Sequence, residues 1–176
     1  LLGLNLSLAA CGGSGGGGAD SVVLNVGATT EPTGMDPAVD TGAGTPFVLL
    51  YNVYETLVRI DEKGEIKPLL ARSWSASSDG SVYTFKLEPN ATFASGKPVN
   101  AAAVIASFER TRDGENTTEV LKKQMSRIKE MRAVDDHTVE VTLTASSKRW
   151  LYDITSTAGI VYDLSSGQNL SEQPAG

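Results

Sequence analysis

Residues 12–18 read GGSGGGG, seven positions with no side chain larger than that of serine, and a run of that kind has nothing to pack. A Gly/Ser coil of seven or eight residues behaves as a flexible tether with an r.m.s. reach of about 15 Å. It separates a short apolar head, residues 1–11, from a body that begins near Ser21. With 40% apolar and 20% charged residues in its 176 positions, the chain has the composition of an ordinary globular protein of one or two domains. Its 21 Asp and Glu outnumber 15 Lys and Arg, and a formal charge of -6 disfavours nucleic acid as a partner. The single cysteine, Cys11, and the single histidine, His137, exclude a disulfide framework, a Cys/His zinc cluster and a two-histidine metal site.

The head, LLGLNLSLAA, falls far short of the roughly 20 apolar residues a membrane span needs. It opens without Met inside an apolar run, so the sequence is expected to lack its N-terminal end. Leu8-Ala9-Ala10-Cys11 resembles the bacterial lipobox, in which small residues admit a signal peptidase and the cysteine thiol takes the lipid. The alternative, a buried free thiol after two alanines, conflicts with the glycine tether that follows. On this reading residues 1–11 are the end of a lipoprotein signal with Cys11 as the lipidation site. Residues 12–20 are the tether, and the body is held at the outer face of a cytoplasmic membrane.

Along the body, Val22 to Ala28 (VVLNVGA) predicts a strand. Thr29 to Gly44, with Pro32, Gly34, Pro37, Gly42 and Gly44, predicts a loop. Thr45-Pro46 reads as a cap and first helical position, and Phe47, Leu50, Tyr51, Tyr54, Leu57 and Val58 recur at helical spacing. Two hairpins follow: Val58–Ile60 with 65–68 around Gly64, and 73–76 with Val82–Leu87 around Asp79-Gly80. Asn100 is placed to cap a helix over 101–110, and 119–126 and 147–155 read as further helices. Strands are expected at 128–134 and 138–143, followed by Ile160-Val161-Tyr162 and a polar loop. Tyr51, Tyr54, Trp74, Tyr83 and Phe85 read as core. The run Lys122, Lys123, Arg127, Lys129 and Arg132 is a basic stretch in an acidic chain, with a solvated face as its simplest explanation.

No catalytic constellation emerges. Ser126-Arg127-Ile128-Lys129 matches S-x-x-K, but no S-D-N or K-T-G accompanies it, and no G-x-S-x-G elbow serves His137, which reads as an exposed turn residue. Asp135 and Asp136 are adjacent in a turn and point apart, so they make no acid/base pair. The four N-x-S/T sites, at Asn5, Asn90, Asn116 and Asn169, carry meaning only in a eukaryotic secretory setting.

Five blocks in register resemble the N-terminal part of family 5 solute-binding proteins of ABC transporters, the dipeptide, oligopeptide and nickel class. They are Met35-Asp36-Pro37-Ala38, the segments NVYETLV at 52–58 and IKPLLARSW at 66–74, SDG at 78–80 with YTFKL at 83–87, and TFASGKPV at 92–99. The T-A-x-D-V pattern common after G-K-P is broken by Ala103, and Gln173-Pro174-Ala175-Gly176 looks like the approach to a motif beyond the last residue. The resemblance implies a mixed α/β fold of the type II periplasmic-binding-protein class with its N-terminal part present. Residues 21–44 would begin the first ligand-binding lobe, 45–162 would form the extra α/β domain of the peptide-binding class, and 163–176 would lead back to the first lobe. Together with the residue reading above, the expectation is no enzyme activity, no cofactor and no metal site. The expected protein is a lipid-anchored, extracytoplasmic monomer, in the periplasm or on the cell surface, that passes short peptides to an ABC permease with its ATPase. The alternatives are a surface sensor or adhesin on the same fold, or a nickel chelate, haem or oligosaccharide as ligand. Ligand contacts are expected at Thr29, Thr30, Glu31, Pro32 and Met35 in the loop and at Phe47 in the next helix. The competing assignment makes Met35 and Phe47 core residues and leaves Glu31 solvated.

Overall fold

The computed structural model describes residue 27 and residues 30–40 and 42–176. The expected lipidation site at Cys11, the tether, Thr29 and all of the expected first strand except Gly27 lie outside the described residues.

The largest element is an antiparallel sheet of four strands: β4 (Ala71–Ala76), β5 (Val82–Leu87), β6 (Ile128–Asp135) and β7 (Thr138–Leu143), in the order β4-β5-β7-β6. Alternation fixes which face is buried. On β5, Tyr83, Phe85 and Leu87 turn inward, and on β7 Val139, Val141 and Leu143 do the same. The register sets Tyr83 against Val141 and Phe85 against Val139. Over this face packs α2 (Ala101–Asp113), which contributes Val104 and Phe108 to the core. Trp150, at the start of the short α4 (Trp150–Asp153), closes one end with its ring 5.1 Å from that of Tyr83 and 6.2 Å from that of Phe85. Each such fully buried side chain contributes about 1.5–3 kcal/mol.

Both expected hairpin turns are present. Between β2 (Val58–Ile60) and β3 (Ile66–Pro68), the Asp61 carboxylate accepts from the Lys63 and Glu65 amides, both at 2.9 Å, and Gly64 takes φ 79°. Between β4 and β5, Asp79 accepts from the hydroxyls of Ser77 and Ser81, and Gly80 takes φ 73°. Asn100 caps α2 by accepting from the Ala103 amide at 2.9 Å. The helix runs three residues past the expected end, to Asp113. It stops at Gly114, where a Cβ would stand 2.4 Å from the Arg110 carbonyl oxygen. The expected helix at 119–126 is α3 (Glu119–Met125). The helix expected over 147–155 shortens to α4, because the Ser147 hydroxyl oxygen accepts the Trp150 amide and starts it late.

The expected first helix is overturned. Helical spacing from Thr45 to Val58 predicts a long helix, but α1 spans only Gly44–Leu49. Leu50 is already extended and Tyr51 takes φ 66°, a left-handed conformation that ends the helix. The chain then pairs β1 (Glu55–Thr56) with β8 (Ile160–Val161), Glu55 opposite Val161 and Thr56 opposite Ile160. Tyr54, Leu57 and Val58 are buried as the spacing requires, in extended rather than helical backbone.

Alternation along β8 divides the core. Val161 joins the large cluster between sheet and helices. Ile160 and Tyr162 join a smaller one with Ala38, Leu49, Tyr54, Leu170 and Ala175. The segment 35–54 and the last fifteen residues thus share a core that the four-stranded sheet does not enter.

Candidate ligand-binding site

The loop carrying the expected ligand contacts is held at three points. First, Asp40 accepts from the hydroxyls of Thr33 and Thr45, and from the Gly42 amide at 2.9 Å. Burial opposes ionisation of Asp40, but these hydrogen bonds outweigh it and hold the carboxyl below its ordinary range. Second, the backbone of Thr30 and Glu31 lies directly over the start of α1: a Cβ on Gly44 would stand 2.6 Å from the Glu31 carbonyl oxygen and 2.7 Å from that of Thr30. Third, the Tyr54 hydroxyl donates to the Met35 carbonyl oxygen at 3.1 Å and accepts the Ala175 amide at 3.4 Å.

Behind the loop sits a polar and aromatic node. Asp36 is buried, accepts the Ala38 amide at 3.1 Å and pairs with Arg110 of α2. The Arg110 guanidinium lies 4.7 Å from the Tyr162 ring centre, and the Tyr54 ring meets Tyr162 edge-on at 5.2 Å. Burial pushes the Tyr54 hydroxyl up to about 12 and the Tyr162 hydroxyl higher still, so both stay protonated. Arg110 also lines an open cavity of about 520 Å³ with Asp36, Asn116, Asp163, Gln168 and Asn169. Its Nη1 is buried without a partner among the described residues.

A second clamp ties the segment after β8 to the loop before α2. The Ser95 hydroxyl donates to Asp163 at 2.6 Å, and Lys97 Nζ donates to the Ser165 carbonyl oxygen at 2.7 Å. Burial opposes ionisation of Asp163, and donation from Ser165 and Ser95, with the Lys97 charge, more than offsets it.

Of the expected contacts, Thr30 and Glu31 are exposed and packed by backbone against α1, and Pro32 is half-buried. Met35 is 36% and Phe47 77% exposed, so neither is a core residue. Tyr51, expected in the core, is 41% exposed; its left-handed backbone turns the ring to the surface, where the hydroxyl donates to the Thr155 carbonyl oxygen. His137 is half-buried rather than exposed, its amide donating to Asp135 at 2.8 Å. Ser126 spends its hydroxyl on the Lys123 carbonyl oxygen at 2.9 Å.

Sequence reasoning does not anticipate the pairing of Asp36 with Arg110 or of Ser95 with Asp163. The one available signal is that Asp36 precedes Pro37, which leaves its carboxylate no amide at the next residue.

The arrangement is a shaped, solvent-facing loop, and comparison with known proteins gives its family. A family model described as "Bacterial extracellular solute-binding proteins, family 5 Middle" matches residues 65–176. The chain belongs to this family. Among relatives, the probable D,D-dipeptide-binding periplasmic protein DdpA of Escherichia coli (strain K12) is 36% identical over 138 residues, covering 75% of this chain and 26% of the relative. A solved nickel ABC transporter structure from Bacillus halodurans superposes with a TM-score of 0.71 at 31% identity, covering 84% of this chain and 29% of that one. The Helicobacter pylori periplasmic binding protein DppA, solved with the peptide STSA, gives 0.68 at 28% identity over 78% of this chain and 30% of that one. This family 5 chain therefore spans between a quarter and a third of these relatives' lengths. It has the N-terminal part of a type II periplasmic-binding-protein fold, and its family is one of solute-binding proteins rather than enzymes.

Proposed function

We propose that this family 5 protein is the solute-binding component of an ABC importer, lipid-anchored through Cys11 outside the cytoplasmic membrane, and that it captures short peptides for the permease. The observation that carries the reading is the exposure of Phe47 and Met35 on a loop and helix fixed by Asp40, Gly44 and Tyr54. Large apolar side chains on a rigid, solvent-facing frame are suited to hold a ligand's apolar groups. Thr30 and Glu31 add a hydroxyl and a charge on the same loop, and Thr29 and Pro32 complete the proposed contact set. Peptide is favoured over metal chelate by the likeness to the D,D-dipeptide-binding DdpA and to DppA solved with a peptide; the nickel relative keeps the chelate as the second reading.

A domain assignment accompanies this reading, with the smaller core tying the ends of 45–162, at Leu49, Tyr54, Ile160 and Tyr162, to Ala38, Leu170 and Ala175 on either side of it. Residues 21–44 and 163–176 belong on this reading to the first ligand-binding lobe, and 45–162 to the extra domain. The β1–β8 pairing joins the two ends of that domain. Ligand would favour a closed arrangement of two lobes through its higher affinity for that state.

Native mass spectrometry of the full-length protein from its own host tests the function. A ladder of short-peptide masses lost on denaturation is the expected result. A clean apo mass, unchanged by incubation with peptides, would remove the peptide reading.

A further inference from the structure

The end of α3 and the start of α4 form a basic face in a chain of net charge -6. Arg127 donates through Nη1 to the Ser147 hydroxyl oxygen at 3.3 Å, which sets it beside Lys148 and Arg149. Lys148 and Arg149 line an open pocket of about 560 Å³ with Gln124, Tyr152, Asp153 and Ser156. Lys123, Arg127, Lys148 and Arg149 are all exposed, and none forms an ion pair among the described residues. Other cations of the basic stretch have local explanations. Lys122 pairs with Glu119 and Arg132 with Glu140. Lys129 and Arg132 lie on β6, an edge strand of the sheet, where charge blocks strand pairing between molecules. Nothing of that kind accounts for Lys148 and Arg149.

The pocket gives Lys148 and Arg149 a concave setting open to solvent. An occupant that brings negative charge there pairs two cations that have no ion-pair partner among the described residues. A protein segment rich in Asp or Glu supplies that charge. We propose that this face docks an acidic segment of a partner protein, with an acidic side chain seated between Lys148 and Arg149.

The test measures binding of fluorescein-labelled hexaglutamate to the full-length protein by anisotropy, with phosphatidylglycerol vesicles as a separate arm. Hexaglutamate is expected to bind. Screening lengths shrink from about 10 Å at 0.1 M salt to about 3 Å at 1 M, so binding should be lost across that range. The double variant Lys148→Ala/Arg149→Ala is expected to bind about tenfold more weakly, as the loss of two exposed charge pairs implies. Lys63→Ala/Arg72→Ala removes two exposed cations elsewhere and should leave it unchanged. Equal losses in the two double variants would reduce the effect to net charge and overturn the proposal. Binding to vesicles without binding to hexaglutamate would assign the face to lipid instead, and binding to neither would remove it.

Discussion

Asp36 and Arg110 stand 74 positions apart in sequence, yet the Arg110 guanidinium pairs with the buried Asp36 carboxylate while lying over the Tyr162 ring. The pair fastens the loop before α1 to α2, and so joins the smaller core to the larger. Breaking a buried pair from one side strands the other charge, at a typical cost of 3–5 kcal/mol. Arg110 is partly exposed, so Arg110→Ala is expected near the lower end, about 3 kcal/mol, read by urea denaturation. Adding Asp36→Asn should restore part of the loss. A double variant as unstable as the two single losses summed would show that the residues are not coupled.

Acid should loosen the frame around the loop before it melts the sheet. Asp40 and Asp163 both have folded-state pKa values below the ordinary carboxylate range, Asp40 through Thr33, Thr45 and Gly42, and Asp163 through Ser165, Ser95 and Lys97. A depressed carboxylate adds stability that is fully present above its unfolded pKa, about 3.9, and is lost as pH falls through the folded value. The expected stability profile is therefore flat in this respect above about pH 5 and falls below pH 4. Asp40→Asn should flatten that acid limb while lowering stability at pH 7. An unchanged limb in the variant would show that Asp40 titrates alike in folded and unfolded chains.

How much of this was legible in the sequence depends on where each signal was local. The turns at Gly64 and Gly80, the Asn100 cap and the alternating face of Tyr83, Phe85 and Leu87 are written in neighbouring residues and appear as read. The helix expected to run to Val58 failed because its partner, Ile160–Val161, lies about a hundred residues away, and pairing with it outweighs helical spacing. Tyr51 deceived for a related reason: an aromatic residue at helical spacing reads as core until φ 66° turns it outward. The hold that Asp36, Asp40 and Tyr54 exert on the candidate loop was invisible, since polar contacts across a fold leave no periodic trace.

Gly44 offers a direct probe of that hold. A methyl group there meets the Glu31 carbonyl oxygen at 2.6 Å and must displace backbone, not a flexible side chain. Gly64 has nothing within 4 Å but takes φ 79°, so alanine there meets only left-handed strain of about 1–2 kcal/mol. Gly44→Ala is expected to lower the melting temperature and to speed amide exchange at Thr30 and Glu31. Gly64→Ala should lower the melting temperature without touching exchange in that loop. Equal exchange at Thr30 and Glu31 in both variants would mean that the loop does not rest on α1.

Phe47 separates binding from folding. At 77% exposure its ring contributes little to the core, and a surface substitution away from caps and strained backbone usually changes stability by less than about 0.5 kcal/mol. Phe85, fully buried, makes the opposite case: Phe85→Ala should cost about 3–5 kcal/mol. If Phe47 holds an apolar group of the ligand, Phe47→Ala in the full-length protein should weaken peptide binding by about tenfold, roughly the 1.4 kcal/mol of one partly buried ring. The melting temperature should stay where it was. Isothermal titration with a peptide recovered from the native protein, set beside calorimetric melting, reads both quantities on one sample. Unchanged affinity would remove Phe47 from the proposed site. A large loss of stability would return it to the core, against the exposure seen here.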